Sequence, residues 1–448
     1  MAEKFTKKLT NKEIFFYNWG SISLNFIEGV LFAWIMFFYA PTDPKPGQIV
    51  YIPIVLTGII LALGRVFDAI TDPLIGNFSD NLKSRWGRRK PFIVFGTPLM
   101  IIAFIFFWTP PVVGESLYNV LYLGVLFLIY FLFYTAIGIP YDALLAEIAL
   151  TSEDRVKLTS WKLVYAIIGF MLVAAAAPMY QHWGPFKMGL VVGAIGFVTM
   201  YMCLPGIKEL PAEFSGADKK IGLWDSLKAT FGNRQFLFFG IAIILLYMCY
   251  MVLIPVVPYL NDVILDKEPE FVMYLQIEFI LFMVASVPLW MWLSKKYAKR
   301  TLLRVVSLLL ALFFPLFFFV GMIPGVPVIV QPFIVFPFVS IPLGGFMILV
   351  YAMMGDVVDY DQMLTGKRRE SMYYGVFGFS RKVGFAFAVF SFPILFDIFG
   401  AVPGNDLGIR LVWIMLSVVS LIGFFVLFGY KLGDSPEETR EIMGIKQR

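Results

Sequence analysis

Charged residues and metal-binding side chains are scarce in this chain of 448 residues. Only 15% of its residues are charged, compared with about 25% in soluble domains, while 59% are hydrophobic and the mean hydropathy is +0.80. One histidine and two cysteines leave little room for a His/Cys metal site or a disulfide framework. The composition therefore indicates a polytopic membrane protein.

Nucleotide-binding and catalytic motifs are also missing from the sequence. The phosphate-binding pattern GxxxxGK[ST] has no match, so transport driven by ATP has no support in this chain. The zinc-protease pattern HExxH does not occur either, and a single histidine limits acid–base catalysis. We expect a protein that is not an enzyme and does not bind nucleic acid.

Long apolar segments occur twelve times, and each is long enough for a spanning helix, which needs about 20 mostly apolar residues. They form two groups of six, separated by a polar stretch. The first group covers 12–40, 48–79, 91–110, 116–148, 156–181 and 186–205, and the second covers 234–262, 270–294, 300–323, 327–360, 370–400 and 408–431. The sequence thus predicts an all-α membrane protein.

The predicted domain organisation is a six-helix half over 1–205, a cytoplasmic linker over 206–233, a second six-helix half over 234–432 and a tail over 433–448. Of the 36 Lys and Arg residues, 28 fall in the N-terminus, the even-to-odd loops, the linker or the tail. Because positive charge favours the cytoplasmic side, both termini are predicted to be cytoplasmic.

The two halves echo one another in sequence. "GNFSDNLKSRWGRRK" follows the second span and "WLSKKYAKR" follows the eighth, while "IPYDALLAEI" near the end of span 4 corresponds to "MGDVVDYDQ" near the end of span 10. Two six-helix halves related by a parallel repeat describe the major facilitator fold.

Two aspartates and an arginine lie inside the second span. Asp68 and Asp72 are four residues apart and share one helix face, with Arg65 one turn earlier. A charge at the bilayer centre costs about 2.5–3.5 kcal/mol even on lenient scales. Two neighbouring carboxylates predict a coupling-ion site, with Thr71 and Thr135 as further oxygen ligands. Asp68 and Asp72 would be the metal ligands if the ion is Na⁺.

A purely structural alternative stays open for these charges. Arg65 would pair with Asp68, and Lys382 in span 11, next to Arg381, would pair with an acid to join the halves. We favour the functional interpretation, because pairing and coupling are often performed by the same residues.

Further polar groups inside the spans are candidates for the substrate site. Glu28, Asp142 and Lys162 are placed to line a central cavity. Trp161 precedes Lys162, and an aromatic ring beside a charged hydrogen-bonding group is a common way to bind a sugar, although apolar packing is the more frequent role.

Five motifs resemble the glycoside–pentoside–hexuronide:cation symporters, a sodium/melibiose carrier-like family. They are "GRVFDAITDP", "SRWGRRKPF", "YTAIGIPYDALLAEI", "SEDRVKLTSWK" and "GDVVDYDQMLTGKRRESMYYGVFGFSRKVG". The resemblance implies that Asp68 and Asp72 are the paired cation-site aspartates and that Thr135 is a ligand. Thr71 stands where the melibiose carrier has asparagine, and Lys382 matches a lysine near the cation site.

The resemblance also implies a changed substrate site. Lys162 takes the place of a sugar-contacting arginine. Asn25 and Gly138 stand where the melibiose carrier has its two sugar-binding aspartates, and Asp142 replaces the neighbouring tryptophan. Melibiose is therefore not the expected substrate. Either Glu28 or Asp142 would supply the displaced acid, while Lys162 alternatively favours an anionic uronide.

The predicted function is symport of a cation with a sugar-like solute, a glycoside, pentoside or hexuronide, by alternating access. We expect a multi-pass monomer in the plasma or inner membrane, with no cofactor beyond the coupling ion, Na⁺ or H⁺, and with the lipid bilayer as its surroundings. One alternative is a lysolipid or amphiphile transporter of the same fold. A non-transporting sensor is disfavoured by the coupling carboxylates.

Overall fold

The computed structural model describes residues 9–82, 84–149, 151–209, 232–365 and 370–444. Within these ranges the chain is helical, and the only extended pairing is one isolated bridge. The predicted all-α class is confirmed.

The first compact unit contains residues 9–209 together with Glu268–Met273. Its backbone leaves the helical region once inside a helix, at Gly184, where φ is 79°. The helices of this unit are α1 (Asn11–Tyr17), α2 (Trp19–Tyr39), α3 (Ile54–Asn81), α4 (Lys90–Phe106), α5 (Leu117–Ile148), α6 (Ser152–Val173) and α7 (Ala176–Met202).

The second compact unit contains the remaining described residues, 232–267 and 274–444. Its helices are α8 (Arg234–Tyr259), α9 (Phe271–Ala285, of which Tyr274 onward belongs to this unit), α10 (Val287–Leu293), α11 (Lys299–Phe313), α12 (Gln331–Thr365), α13 (Glu370–Phe399), α14 (Leu407–Val426) and α15 (Pro436–Met443).

Each of the twelve predicted spans corresponds to a helical segment of the described chain. Eleven of these segments are long and apolar enough to cross a membrane, and the third span, Lys90–Phe106, is shorter. The span count follows from hydropathy because lipid cannot satisfy backbone hydrogen bonds, so each apolar segment must satisfy its own as a helix.

The predicted linker over 206–233 falls largely outside the described residues, since 210–231 are not among them. Its role therefore stays a prediction, as does the tail over 433–448 beyond residue 444. Helix α15 occupies the described part of that tail.

The same helix pairings recur in both units. In the first unit, α2 packs on α6 and α7, while α4 packs on α5 and α7. In the second unit, α8 packs on α13 and α14, while α11 packs on α12 and α14. When the spans of each half are numbered in chain order, the packed pairs are the same in both halves. The recurrence agrees with the parallel repeat predicted from the loop sequences.

The N-terminus of α4 is capped by a residue far along the chain. The Glu209 carboxylate accepts backbone N–H groups of Arg88 at 2.5 Å, Arg89 at 3.1 Å and Lys90 at 2.6 Å. Backbone N–H groups at the start of a helix have no acceptor within the helix, and negative charge is also favoured there. Gly87, with φ at 102°, permits this approach, because a Cβ there would lie 2.6 Å from the Glu209 carboxyl group.

Ion pairs connect the loop after α3 to the end of α5. Arg88 and Arg89 contact Glu147 at 2.6 and 2.7 Å, and Arg89 also contacts Asp80 at 2.8 Å.

Replacing Glu209 with alanine should lower the free energy of unfolding by about 1–2 kcal/mol, the upper part of the range for losing a helix cap. Denaturant unfolding of the protein in detergent would measure this. Glu441→Ala, at an exposed glutamate of α15, is the matched control and should change stability by less than about 0.5 kcal/mol. Equal effects of the two substitutions would contradict a capping role for Glu209.

Candidate functional site

Asp68 is a fully buried carboxylate between α3 and α5. Thr135 Oγ1 donates a hydrogen bond to Asp68 Oδ1 at 2.5 Å, and Arg65 Nη1 donates to Asp68 Oδ2 at 3.2 Å. The Thr71 hydroxyl lies 3.0 Å from the Asp68 carbonyl oxygen and 3.4 Å from Thr135 Oγ1. Three of the four predicted cation-site residues, Asp68, Thr71 and Thr135, are thus brought together.

The fourth residue of the predicted cation site, Asp72, lies one turn after Asp68 on α3 and is half-buried. Pro73 follows it inside the same helix. Proline has no N–H, so the carbonyl of Ala69 loses its usual helical hydrogen bond near the aspartates. This part of α3 is therefore rich in oxygen atoms that can bind a cation.

Arg65 joins Asp68 to a second acid on a different helix. Arg65 Nη2 forms an ion pair with Glu28 Oε1 of α2 in addition to its contact with Asp68. Its guanidinium carbon lies 4.3 Å from the ring centroid of Phe32 and 4.9 Å from that of Phe131. The guanidinium therefore lies against two aromatic rings, an arrangement that stabilises a desolvated cation.

Tyr134 completes this network, because its hydroxyl donates to Glu28 Oε2 at 2.6 Å. Tyr134 and Thr135 are consecutive on α5, and each binds a different carboxylate. The sequence grouped Glu28 with substrate-binding residues, whereas the structure places it in the charge network of Arg65.

Three members of this network, Phe32, Phe131 and Tyr134, were missed by sequence reasoning. A signal was available for two of them: Phe32 is four residues after Glu28, and Phe131 is four residues before Thr135, so each shares a helix face with a polar member. Apolar residues are so common here that this spacing alone could not single them out.

The predicted substrate residues Asp142 and Lys162 form a second ion pair, with Lys162 Nζ 2.5 Å from Asp142 Oδ1. Lys162 Nζ also lies 5.2 Å from the ring centroid of Tyr141. The Asp142 side chain is 63% exposed, and the side chain of Trp161 is exposed as well. This pair is therefore accessible, unlike the pair of Arg65 with Asp68.

The two positions where the melibiose carrier has sugar-binding aspartates differ in their surroundings. The Asn25 amide donates to the Ser21 carbonyl of its own helix at 2.7 Å. A Cβ added at Gly138 would meet no described atom within 4 Å. Gly138 is four residues after Tyr134 and four before Asp142, so open space lies between the two ion-pair clusters on α5.

Arg381 and Lys382 belong to α13 in the second unit. Arg381 Nη1 donates to the Tyr351 hydroxyl at 3.1 Å, and its guanidinium carbon lies 4.9 Å from the Tyr247 ring centroid. Lys382 is half-buried. The proposed effect of both residues on the cation site stays a prediction.

Oxygen atoms dominate the candidate cation site. Among the residues that the structure describes, no group of three or more His, Cys, Asp or Glu side chains could hold a metal ion. Carboxylate and hydroxyl oxygens without imidazole or thiolate favour a hard cation over a transition metal. The donor set suits an alkali cation or a proton.

Breaking the two ion-pair clusters should have unequal consequences. Arg65→Met leaves the buried carboxylates without their guanidinium and should cost about 3–5 kcal/mol of stability, as for a broken buried pair. Lys162→Met removes a partner of the exposed Asp142 and should cost at most about 1 kcal/mol. Denaturant unfolding in detergent measures the stability of each variant. Similar losses of stability in Arg65→Met and Lys162→Met would contradict the expected difference.

The chain is similar to known proteins over most of its length. Residues 16–432 match the family described as MFS/sugar transport protein. The chain is 26% identical over 447 residues to "Uncharacterized symporter YnaJ" of Bacillus subtilis (strain 168), covering 94% of this chain and 92% of that protein. It is 26% identical over 388 residues to "Glucuronide carrier protein homolog" of Escherichia coli (strain K12), covering 84% and 81%.

A solved structure has the same arrangement of helices. The crystal structure of nucleoside transporter NupG superposes with a TM-score of 0.69 at 12% identity, covering 94% of this chain and 99% of that one. At this identity the similarity shows the fold alone.

Proposed function

This chain belongs to the MFS/sugar transport protein family, and we propose that it is a symporter that couples cation entry to uptake of a sugar-like solute. The major facilitator fold predicted from the twelve spans is confirmed. The names of the two relatives, a symporter and a glucuronide carrier homolog, support a sugar-like substrate over the amphiphile alternative.

The observation that carries the proposal is the burial of Asp68 beside Thr135 and Thr71. An ionised carboxylate in this position is costly and needs a compensating positive charge. Arg65 is one source of that charge, and it contacts Glu28 as well. Asp68, Asp72 and the two hydroxyls form the proposed site for Na⁺ or H⁺.

Cation binding would relieve repulsion between the two aspartates and favour the conformation that accepts substrate. The loaded carrier would then change the side to which its site is open, by movement of one half against the other. Because binding linkage is reciprocal, a cation that tightens substrate binding must itself be bound more tightly when substrate is present.

The proposed substrate site lies along α2, α5 and α6. Lys162 supplies a cation, Asp142 an acceptor, Asn25 an amide and Trp161 an exposed aromatic face, and Gly138 adds no side chain to the space beside α5. An ammonium group that can leave Asp142 for a substrate carboxylate favours a uronide over a neutral glycoside.

We also propose a cellular location and an oligomeric state for the protein. The protein would act as a monomer in the plasma or inner membrane, with both termini in the cytoplasm, as the distribution of Lys and Arg indicates. The coupling ion is the only cofactor proposed.

A ligand panel tests the function as a whole. Purified protein is heated with glycosides, uronides or lysolipids, each with Na⁺ or with choline at equal ionic strength. A ligand that binds only the folded state adds about 2.7 kcal/mol at a hundredfold excess over its Kd. We expect a sugar or uronide to stabilise more strongly with Na⁺ or at lower pH. Stabilisation by lysolipid alone would overturn the proposal.

Asp68→Asn and Asp72→Asn should each reduce cation-stimulated uptake in membrane vesicles at least about tenfold, because each removes a charge-assisted interaction with the ion. The matched control is Asp397→Asn, at an exposed aspartate of α13, which should retain wild-type uptake. Full coupling in both Asp68 and Asp72 variants, with folding intact, would contradict the site.

Lys162→Met should weaken binding of uronides about tenfold or more, since a hydrogen bond to a charged group contributes about 1.5–3 kcal/mol. Affinity for the matching neutral glycosides should change much less. Thermal-shift titration with both ligand types gives the ratio of the two affinity losses. An equal loss of affinity for uronides and neutral glycosides would mean that Lys162 does not bind the carboxylate.

A further inference from the structure

We propose that Glu28 is a positioning residue that draws Arg65 away from Asp68 and thereby sets the affinity of the cation site. This inference rests on the proposed function of Asp68 as a cation ligand. It assigns to α2 a part in cation binding, although α2 contributes none of the proposed ligands.

The first step is the division of one guanidinium between two acids. Arg65 forms an ion pair with Glu28 and lies 3.2 Å from Asp68. Charge-assisted N–H···O bonds are typically about 2.7–2.9 Å, so the contact with Asp68 is a long one. We infer that a guanidinium shared in this way neutralises Asp68 less than an undivided one would.

The second step is confinement of the guanidinium. Arg65 is 6% exposed and lies against the rings of Phe32 and Phe131. An arginine on the surface would turn into water when it lost one partner. Here burial and the two rings hinder that escape, so the guanidinium stays beside Asp68 when its contact with Glu28 is weakened.

The third step is that each acid has its own anchor on α5. Tyr134 donates to Glu28 at 2.6 Å, and Thr135 donates to Asp68 at 2.5 Å. Since the two donors are consecutive, their positions relative to each other are fixed by the helix. The two acids are therefore held at separate points, and Arg65 contacts both of them.

The consequence is competition between Arg65 and the coupling ion for Asp68. If Glu28 loses its charge or its reach, the guanidinium turns fully to Asp68, where it opposes a bound cation and occupies a carboxylate oxygen. Coupling between close charge pairs of this kind commonly exceeds tenfold in affinity. Glu28 also lies three residues after Asn25 on α2, which connects the cation site to the helix that carries a proposed substrate residue.

The experiment is a Na⁺ titration of thermal stability in purified full-length protein, with choline keeping the ionic strength constant. Glu28→Gln removes the charge, and Glu28→Asp keeps the charge but shortens its reach. We expect both to raise the Na⁺ concentration for half-maximal stabilisation about tenfold. Glu441→Gln, at an exposed glutamate, is the matched control and should leave it unchanged.

A double-mutant cycle identifies Arg65 as the intermediary. In an Arg65→Gln background, Glu28→Gln should shift the Na⁺ midpoint less than about threefold, because only the direct attraction of Glu28 for the ion is then lost. An equal shift in both backgrounds would overturn the proposal. If Arg65→Gln does not fold, the Glu28→Asp variant provides the test by itself. A Na⁺ midpoint equal to that of the wild type in Glu28→Asp would mean that Glu28 acts only through its charge at a distance, and this would overturn its role as a positioning residue.

Asp68→Asn separates this inference from the proposed function. Loss of the Na⁺ response in Asp68→Asn, with unchanged midpoints in both Glu28 variants, overturns only the role of Glu28. A Na⁺ response that survives in Asp68→Asn overturns the cation site itself. A wild-type protein indifferent to Na⁺ overturns the inference, since there is then no Na⁺ affinity for Glu28 to set.

Discussion

An ionised carboxylate inside a membrane helix bundle must have positive charge and hydrogen-bond donors nearby, and Asp68 imposes this requirement on the first unit. Arg65 provides the charge from the same helix, and Thr135 provides a donor from α5. The Thr135 contact forms only because α3 packs on α5 at this level, whereas Arg65 reaches Asp68 within α3 itself. The guanidinium brings a desolvation cost of its own, which the rings of Phe32 and Phe131 reduce.

The first unit contains two ion-pair clusters in different surroundings. The cluster around Arg65 is buried, so its interactions are little screened and its geometry is restricted by aromatic packing. The pair of Lys162 with Asp142 is exposed, and water can replace either partner at small cost. A buried cluster suits selective binding of a small ion, whereas an accessible pair can exchange its partner for a polar solute.

Family membership and site geometry answer different questions about this chain. The match over residues 16–432 establishes the fold and the transport class. It does not reveal that an acid on α2 shares the arginine of α3, because such a contact depends on the side chains of this particular sequence. The Asn25 and Gly138 positions, where the acids of the melibiose carrier are missing, lie within a few residues of Glu28 and Asp142. In the proposed site, the acidic groups would thus be redistributed along the same two helices.

Hydropathy alone determined the number and the approximate limits of the spans, since each apolar segment must form its own backbone hydrogen bonds in lipid. Spacing along one helix also determined that Arg65 and Asp68 could pair, because residues three apart are neighbours. Contacts between helices were decided only by the tertiary structure. The pairing of Glu28 with Arg65 and Tyr134, like the Glu209 cap of α4, joins residues far apart in sequence. Periodicity gives the face on which a side chain lies, but only the packing of helices determines what that face meets.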